Sequence, residues 1–314
     1  MAVGPASVAR PAPAVDRRAS PRRVLEREGP FSWIMLAPGV LFLLAFVAYP
    51  FFYGIYLSLQ DRPVAKPGLF VGLANFVTLA HDAVFWQVTR NTFLYVAVTT
   101  VLKLLGGLGM ALVMNQTFRA RNIVRALLLL PFIVPTILST IAWMWIFDPT
   151  FSVINWTLVN IGLVAQGFSW LGNATLAMVA IIIVNTWRGI PFYGISILAG
   201  LQTISPDLYE AAAIDGANWW QRIWYVTLPM MRNIIAITAL FSLIVTFANF
   251  DIVRILTAGG PIDRTHVFAT WAFWLGIQGG DIPLGASVSL FMVPILAVAA
   301  IFILRDISKR GNEA

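Results

Sequence analysis

Residues 205–229 read SPDLYEAAAIDGANWWQRIWYVTLP and form the longest polar-rich interval within the hydrophobic part of the sequence. Ser205 is a favourable N-cap, and Pro206 suits the first position of a helix. Gly216 suits the C′ position that ends such a helix, and Asn218 can cap a second helix that continues to the end of the stretch at Pro229. The stretch therefore predicts two short helices separated by a glycine.

Long apolar runs surround this stretch on both sides. Of the 314 residues, 59% are hydrophobic and 11% are charged, which is not the composition of a soluble globular chain. The runs recur at about 20 residues, the length that a helix needs to cross a bilayer core. We predict an all-α integral membrane protein with six transmembrane helices, at about residues 33–59, 91–114, 123–147, 174–201, 230–252 and 286–304.

The N-terminal residues 1–30 are rich in alanine, proline and arginine. Such a segment cannot bury an apolar core, so we predict a disordered, basic cytoplasmic tail. The apolar run that follows is far longer than the h-region of a secretory signal peptide, and no small-x-small cleavage site ends it. We therefore expect this run to remain as an uncleaved first span.

The arginine and lysine residues predict the orientation of the chain. Six spans place both termini on one side, and that side receives most of the basic residues outside the spans. The positive-inside rule then puts both termini and residues 205–229 in the cytoplasm. The net charge of +7 is thus explained by topology, and we predict no nucleic-acid partner.

Two spans contain residues that predict how they pack. Gly107 and Ala111 form a small-xxx-small pair that allows close helix contact. Pro131 and Pro135, four residues apart, should bend or unwind the third span. Lys103 lies inside the second span, where it either snorkels or faces a neighbouring subunit, or lines a transport pathway.

Several motifs of energy coupling and catalysis are missing from the sequence. There is no cysteine, no G-x-x-x-x-G-K-[ST] loop, no H-E-x-x-H and no G-x-S-x-G. Carboxylates are absent from the middle of the spans, apart from Asp251 near the end of the fifth. A transporter without an ATP site or coupling carboxylates needs its energy from another subunit.

The spacing of residues 210–229 resembles a known family. Glu210-Ala211-Ala212, Gly216 and 226–229 (VTLP) follow the pattern EAA-x3-G-x9-I-x-LP, with Val226 in place of isoleucine. This pattern is similar to that of the membrane subunits of binding-protein-dependent ABC importers. Segments 70–79, 127–149, 185–194 and 256–261 resemble the sugar-importer branch, of the maltose and glycerol-phosphate permease type. The resemblance covers about residues 31–305 and implies a type I importer permease domain over residues 31–314.

The resemblance implies that residues 205–229 dock as a coupling helix on a cytoplasmic ATPase subunit. The residues implied in this contact are Glu210, Ala211, Ala212, Asp215, Gly216, Leu228 and Pro229. The implied partners are two ATPase subunits that bind ATP and magnesium, a second homologous permease, and an extracytoplasmic solute-binding protein. The chain itself is expected to hold no cofactor or metal, to catalyse no covalent reaction, and to lie in a bacterial-type inner membrane as a multi-pass protein.

The resemblance also implies a solute pathway near the middle of the bilayer. We expect it to be lined by Asn185, Trp187, Arg188, Gly189, Phe192, Phe247, Asn249 and Asp251. An amide can hydrogen-bond sugar hydroxyls, an aromatic ring can stack on a sugar face, and glycine leaves room. Alternatively, these residues only pack and kink the fourth span. Arg188 either attracts an anionic solute, or pairs with another subunit or lipid headgroups.

The sequence therefore predicts a permease subunit that moves a carbohydrate or related polyol by alternating access. Three alternatives remain at this point. The solute could be a sugar phosphate or glycerol phosphate, the chain could be an ATP-independent secondary carrier, or it could be a structural scaffold. Transport by the chain without an ATPase would indicate the secondary carrier, and tolerance of changes in the coupling helix would indicate the scaffold.

Overall fold

The computed structural model describes residues 28–61 and 68–311. The predicted tail at residues 1–30 falls almost wholly outside the described residues. The chain divides into two compact units, Met1–Tyr53 and Gly54–Ala314.

The first unit contributes the beginning of a long apolar helix. Helix α1 (Glu28–Leu43) is followed by a π-helical turn (Leu44–Ala48) and by α2 (Tyr49–Ser58). Its large apolar side chains are exposed, Trp33 to 71% and Phe46 to 68%. Exposure of this kind is expected for side chains that face lipid.

The second unit is helical apart from one small hairpin. Strand β1 (Gln60–Asp61) pairs antiparallel with β2 (Leu69–Phe70). The helices are α3 (Ala74–His81), α4 (Ala83–Asn115), α5 (Arg121–Ile133), α6 (Thr136–Ile146), α7 (Val153–Asn160), α8 (Ala174–Leu201), α9 (Pro206–Ile214), α10 (Trp219–Arg222), α11 (Leu228–Phe247), α12 (Asp251–Leu256), α13 (Phe268–Phe273) and α14 (Ile282–Gly311). Two π-helical turns, Ile223–Thr227 and Trp274–Gln278, follow α10 and α13.

Five helical segments of the described chain are long and apolar enough to cross a membrane. They are Ser32–Ser58, Ala83–Asn115, Ala174–Leu201, Trp219–Phe247 and Ile282–Lys309. Helices α5 and α6 meet at 94° and count as a sixth span if the bent pair is taken as one. This agrees with the predicted six, and the fourth span matches its predicted bounds.

The prolines of the third span break it as predicted. Helix α5 ends at Ile133, and α6 begins at Thr136. Val134 is extended, with φ −65° and ψ 132°, as is favoured for a residue that precedes a proline. Pro135 has no N–H to continue the helical hydrogen-bond ladder. The third span is therefore a helix pair with a sharp corner.

The second and sixth spans are longer than predicted. Helix α4 begins at Ala83 instead of residue 91, because the side chain of Asp82 caps it by accepting a hydrogen bond from Val84 N–H at 2.9 Å. The last part of the interval between the first two predicted spans is therefore helical. Helix α14 likewise extends beyond the predicted range 286–304 at both ends.

The fifth span differs most from its predicted range of 230–252. Its helix begins at Trp219 and passes through Pro229, so the predicted stop at that proline was wrong. The π-helical turn before Pro229 shifts the bonding to i→i+5, with Leu228 N–H donating to Ile223 O. The wider π-helical turn accommodates Pro229, which has no backbone N–H to donate. The helix ends at Phe247, and Asp251 starts the separate helix α12.

Helices α4 and α8 pack closely along much of their lengths. A Cβ added to Gly107 would clash with Tyr193 Cβ, and it would lie 3.1 Å from the backbone of Gly194. Ala111 is fully buried in the same contact. The predicted small-xxx-small packing is confirmed.

The two ends of α4 contact different segments: the loop after α12 at the N-terminal end, and the segment before α9 at the C-terminal end. At its N-terminal end, Gln87 donates to Asp263 O at 2.9 Å, and Asn91 donates to Arg264 O at 2.9 Å, which fixes the loop after α12. The C-terminal half packs in a cluster with Ile204, just before α9. A 33-residue helix is roughly 50 Å long. The loop after α12 and residues 205–229 therefore lie at opposite ends of the span.

Candidate functional site

A cavity of about 680 Å³ lies between α4, α8, α11 and the α5–α6 corner. Volumes of this size are typical of sites for small solutes. Lys103 and Asn185 place the cavity near the middle of α4 and α8, well away from the helix ends. A solute bound there would lie between the spans, away from the ends of α4 and α8.

Six of the eight residues predicted for the solute pathway line this cavity, namely Asn185, Arg188, Gly189, Phe192, Asn249 and Asp251. The four on α8 are separated by three, four and seven positions from Asn185, so they share one helix face. The family resemblance named these residues together, and the helix periodicity of α8 explains which of its residues reach the cavity.

Trp187 and Phe247 are not among the residues that line the cavity. Trp187 lies off the face of α8 that carries Asn185 and packs edge-on against Trp143, with ring centroids 5.5 Å apart. Phe247 is 2% exposed and packs against Phe93, at 5.6 Å between ring centroids. In this structure both side chains contribute to packing, and the prediction that they line the pathway is not supported.

The polar wall of the cavity is largely buried. Asn185 is 6% exposed, and its Oδ1 atom has no hydrogen-bond partner in the described part of the chain. The Tyr95 hydroxyl donates to Asn249 Oδ1 at 3.2 Å, which orients that amide. Ser242 and Thr246 add hydroxyl groups from α11. These groups can exchange hydrogen bonds with a hydroxylated solute.

Lys103 is part of the same wall. Its side chain is 4% exposed, and Nζ donates to Thr246 Oγ1 at 3.0 Å. Gly189 provides room for the lysine stem, because an added Cβ there would clash with Lys103 Cε. Of the interpretations that the sequence left open, the structure favours a lysine on the pathway.

Arg188 has a role that the sequence did not reveal. Its Nη1 atom donates to Val134 O at 2.6 Å and lies 3.4 Å from Pro131 O. Both carbonyls lie at the corner between α5 and α6, where helical bonding stops. Arg188 therefore connects α8 to this corner while it lines the cavity.

Three phenyl rings give the cavity an apolar side. The ring of Phe192 is 5.2 Å from that of Phe241 and 6.4 Å from that of Phe132, measured between centroids. All three line the cavity, and Phe250 lines it as a fourth phenylalanine. The combination of aromatic rings with amide, hydroxyl and ammonium groups suits a solute that has both hydroxyl groups and apolar faces.

The second candidate site is the capped segment after α8. Ser205 Oγ accepts from Asp207 N–H at 3.3 Å, and Gly216 has φ +82° after the end of α9. Asn218 and Gln221 form a capping box that starts α10. These findings confirm the predicted helix start, the glycine stop and the second cap.

The residues predicted to contact an ATPase subunit lie mostly on the surface. Glu210, Ala211, Asp215, Gly216 and Pro229 are exposed, whereas Ala212 and Leu228 are half-buried. The segment thus presents an accessible face at one end of the spans. Its contact with a partner stays a prediction.

Tyr209 connects this segment to the spans and was missed by the sequence analysis. Its hydroxyl is 3.0 Å from Thr227 Oγ1, and its ring packs against the buried cluster that includes Met231. Thr227 belongs to the π-helical turn that leads into α11. Tyr209 is an aromatic residue within a polar stretch, and this was the feature of the sequence that could have indicated that one face of α9 packs against the spans.

No group of three or more His, Asp or Glu that could hold a metal ion occurs within residues 28–61 and 68–311. The expectation that this chain binds no metal and no cofactor stays a prediction.

A family described as the binding-protein-dependent transport system inner membrane component matches residues 103–313. Among curated relatives, the trehalose/maltose transport system permease protein MalF of Thermococcus litoralis is 32% identical, over 88% of this chain and 94% of its own length. The sulfoquinovosyl glycerol transport system permease protein SmoG of Agrobacterium fabrum is 30% identical, over 86% of this chain and 88% of its own.

Solved structures show the same fold. A chain of a bacterial ABC transporter involved in the import of the acidic polysaccharide alginate superposes with a TM-score of 0.79 at 24% identity, over 92% of this chain and 98% of the other. The alginate transporter in complex with an alginate pentasaccharide-bound periplasmic protein gives a TM-score of 0.77 at 24% identity, over 90% and 94%.

Proposed function

Because the chain belongs to the family of binding-protein-dependent transport system inner membrane components, we propose that it is the permease subunit of an ATP-driven importer for a carbohydrate or related polyol. It is a multi-pass inner-membrane transport subunit and not an enzyme. One observation carries the choice of solute: the cavity combines buried amide, hydroxyl and ammonium groups with four phenyl rings. Such a wall can bind sugar hydroxyls and stack on sugar faces.

The names of the relatives support this choice. One is named for trehalose and maltose transport and another for sulfoquinovosyl glycerol transport. Both names denote sugars or sugar derivatives, one uncharged and one carrying a sulfonate. A sugar skeleton is the feature that these solutes share.

Energy is supplied by other chains in this proposal. The sequence contains no phosphate-binding loop, so two cytoplasmic ATPase subunits bind ATP and magnesium. A second, homologous permease completes the membrane part, and an extracytoplasmic solute-binding protein delivers the solute. Both termini and residues 205–229 lie in the cytoplasm, as the distribution of arginines indicates.

The mechanism proposed is alternating access. Closure of the ATPase subunits moves α9, which the Tyr209–Thr227 contact joins to the π-helical turn. Helix α11 continues from that turn to the cavity, where it contributes Ser242 and Thr246. Movement at the cytoplasmic end therefore reaches the solute site along one continuous helix.

The test is uptake by the complete complex reconstituted in proteoliposomes. A screen of the solute-binding protein against a sugar panel first supplies the labelled solute. We expect uptake to require ATP and the ATPase subunits. Uptake by the permeases alone would instead show an ATP-independent carrier.

Glu210→Lys tests the docking surface of α9. We expect the variant to insert normally but to lose ATPase-subunit binding and transport, because an exposed carboxylate is replaced by the opposite charge at a contact. Gln202→Lys is the matched control, since Gln202 is also exposed near α9 but lies outside the predicted contact. Full transport by Glu210→Lys would contradict the docking role.

A further inference from the structure

Lys103 is a buried cation without a counter-ion in the described part of the chain. Its Nζ atom makes one hydrogen bond, to Thr246 Oγ1, and no described carboxylate forms an ion pair with it. An ammonium group has three donors, so two remain without a protein partner. An unpaired charge in the membrane interior costs a few kcal/mol or more, which favours a role that uses the charge.

The free donors of Lys103 lie where a solute would bind. Lys103 and Asn185 both line the cavity, and both are more than nine-tenths buried. Asn185 Oδ1 has no partner among the described residues. The wall therefore offers unused ammonium donors and an unused amide acceptor. A ligand that satisfies both carries an oxygen acceptor and a hydroxyl donor.

The charges around the cavity do not cancel. Lys103, Arg188 and Asp251 line it, which leaves one positive charge in excess. Arg188 is already engaged with the carbonyls of Val134 and Pro131. Asp251 is exposed in the first turn of α12. Arg188 is half-buried and uses only Nη1 in these bonds, whereas Lys103 is 4% exposed and has no carbonyl partner among the described residues, so Lys103 is the more deeply buried cation of the cavity.

We propose that Lys103 is the counter-ion of the solute, and that this solute is a sugar carrying a carboxylate, sulfate, sulfonate or phosphate group. Asn185 Oδ1 accepts a hydrogen bond from a hydroxyl of the same sugar. The charge-assisted bond to the ammonium is stronger than a neutral one. This inference rests on the proposed function. It assigns to Lys103 the recognition of an anion that the sequence suggested for Arg188.

The test measures binding and uptake by the complete complex with matched probe pairs. Digalacturonate is compared with its carboxyl-reduced form, and glucose 6-sulfate and glucose 6-phosphate are compared with glucose. We expect an anionic probe to bind the wild-type complex in nanodiscs more tightly than its uncharged counterpart. Lys103→Met should weaken that binding roughly thirtyfold or more, as for loss of a buried charge partner, and Lys103→Arg should retain most of it.

A second variant tests the geometry without removing the charge. Gly189→Ala places a Cβ against the Lys103 stem and should weaken binding of the anionic probe more than that of its neutral partner. Gly109→Ala is the control on α4, because nothing lies within 4 Å of an added Cβ at that position.

Two outcomes would overturn the inference while leaving the proposed function intact. One is ATP-dependent uptake of neutral sugars with no anionic probe bound or preferred. The other is equal binding of the anionic probe by the wild type and by folded Lys103→Met. A complex with no ATP-dependent uptake of either class would instead overturn the proposed function itself, and this inference with it.

Discussion

Arg188 connects the solute cavity to the corner of the third span. Pro131 and Pro135 interrupt the helical ladder there, and the guanidinium group donates to carbonyls that this interruption leaves exposed. A residue on the face of α8 that carries Asn185 thus also supports the wall formed by α5 and α6. The hydrogen bonds of Arg188 add to the ring contacts Phe192–Phe132 and Trp187–Trp143 that hold this wall against α8.

Arg188→Gln should therefore lower stability and reduce transport of every solute. Loss of hydrogen bonds from a charged donor costs about 1.5–3 kcal/mol. The measurement is the thermal melting of the purified complex together with uptake of anionic and neutral sugars. Arg188→Lys, which keeps the charge but not the planar guanidinium, should fall between wild type and Arg188→Gln. Selective loss of anionic uptake at unchanged stability would contradict this role.

The sequence predicted the residues of the site better than their contacts. Asn185, Arg188, Gly189 and Phe192 were expected on the pathway because of the resemblance to sugar-importer permeases, and all four line the cavity. Trp187 belongs to the same segment, but helix periodicity directs it to Trp143. The pairing of Lys103 with Thr246 joins residues 143 positions apart, and no local pattern in the sequence predicts such a contact.

Helices α4 and α8 share the most extensive contact in the second unit, and glycine makes their approach feasible. Tyr193 Cβ and the backbone of Gly194 occupy the space that a side chain at Gly107 would need. Backbone atoms cannot move aside as a flexible side chain can. The pair also carries Lys103 and Asn185, so its separation sets the width of the cavity.

Gly107→Ala should destabilise the protein by about 1–3 kcal/mol, the usual cost of overpacking. Gly109→Ala on the same helix should be neutral or slightly stabilising, because the added methyl group meets no neighbour and alanine favours a helix. The two variants can be compared by thermal unfolding in the same detergent. Equal melting temperatures would contradict the close packing described here.

Element boundaries were predictable where a local rule acts alone. Ala174 and Leu201 bound the fourth span as expected, and the two prolines of the third span produced the predicted corner. A proline inside a span usually ends or kinks the helix. This rule failed at Pro229, because the helix continues through that residue. There a π-helical turn absorbs the missing donor, and the sequence alone does not indicate that such a turn forms.

At the scale of the whole molecule, the family resemblance predicted from the EAA spacing is confirmed by the match over residues 103–313. The number of spans agrees with prediction when the bent pair counts as one. The orientation of the termini, the partners and the solute remain predictions, since they depend on a membrane and on other chains. Large exposed apolar side chains on α5 and α6, such as Ile133 at 71% and Leu138 at 62%, offer surface for lipid or a second permease.

Tyr209→Phe tests whether movement of α9 is transmitted to the cavity. The change removes the contact with Thr227 Oγ1 but keeps the ring that packs on the buried cluster. We expect ATPase subunits to bind normally, ATP hydrolysis to continue, and sugar uptake per ATP to fall several-fold. Tyr225→Phe is the control, because Tyr225 is 79% exposed nearby. An unchanged ratio of uptake to hydrolysis would show that the contact transmits nothing.

The π-helical turn at Ile223–Thr227 also sets an angular register. A π turn contains one residue more than an α turn, and each residue of an α-helix rotates the chain by about 100°. The turn therefore fixes the azimuth of Trp219 and Gln221 relative to Ser242 and Thr246 at the far end of the same rod. Deleting one residue of this turn would rotate the α10 end of the helix by about 100° relative to the cavity end. Both ends would keep their own residues, but they would no longer face the same directions relative to each other.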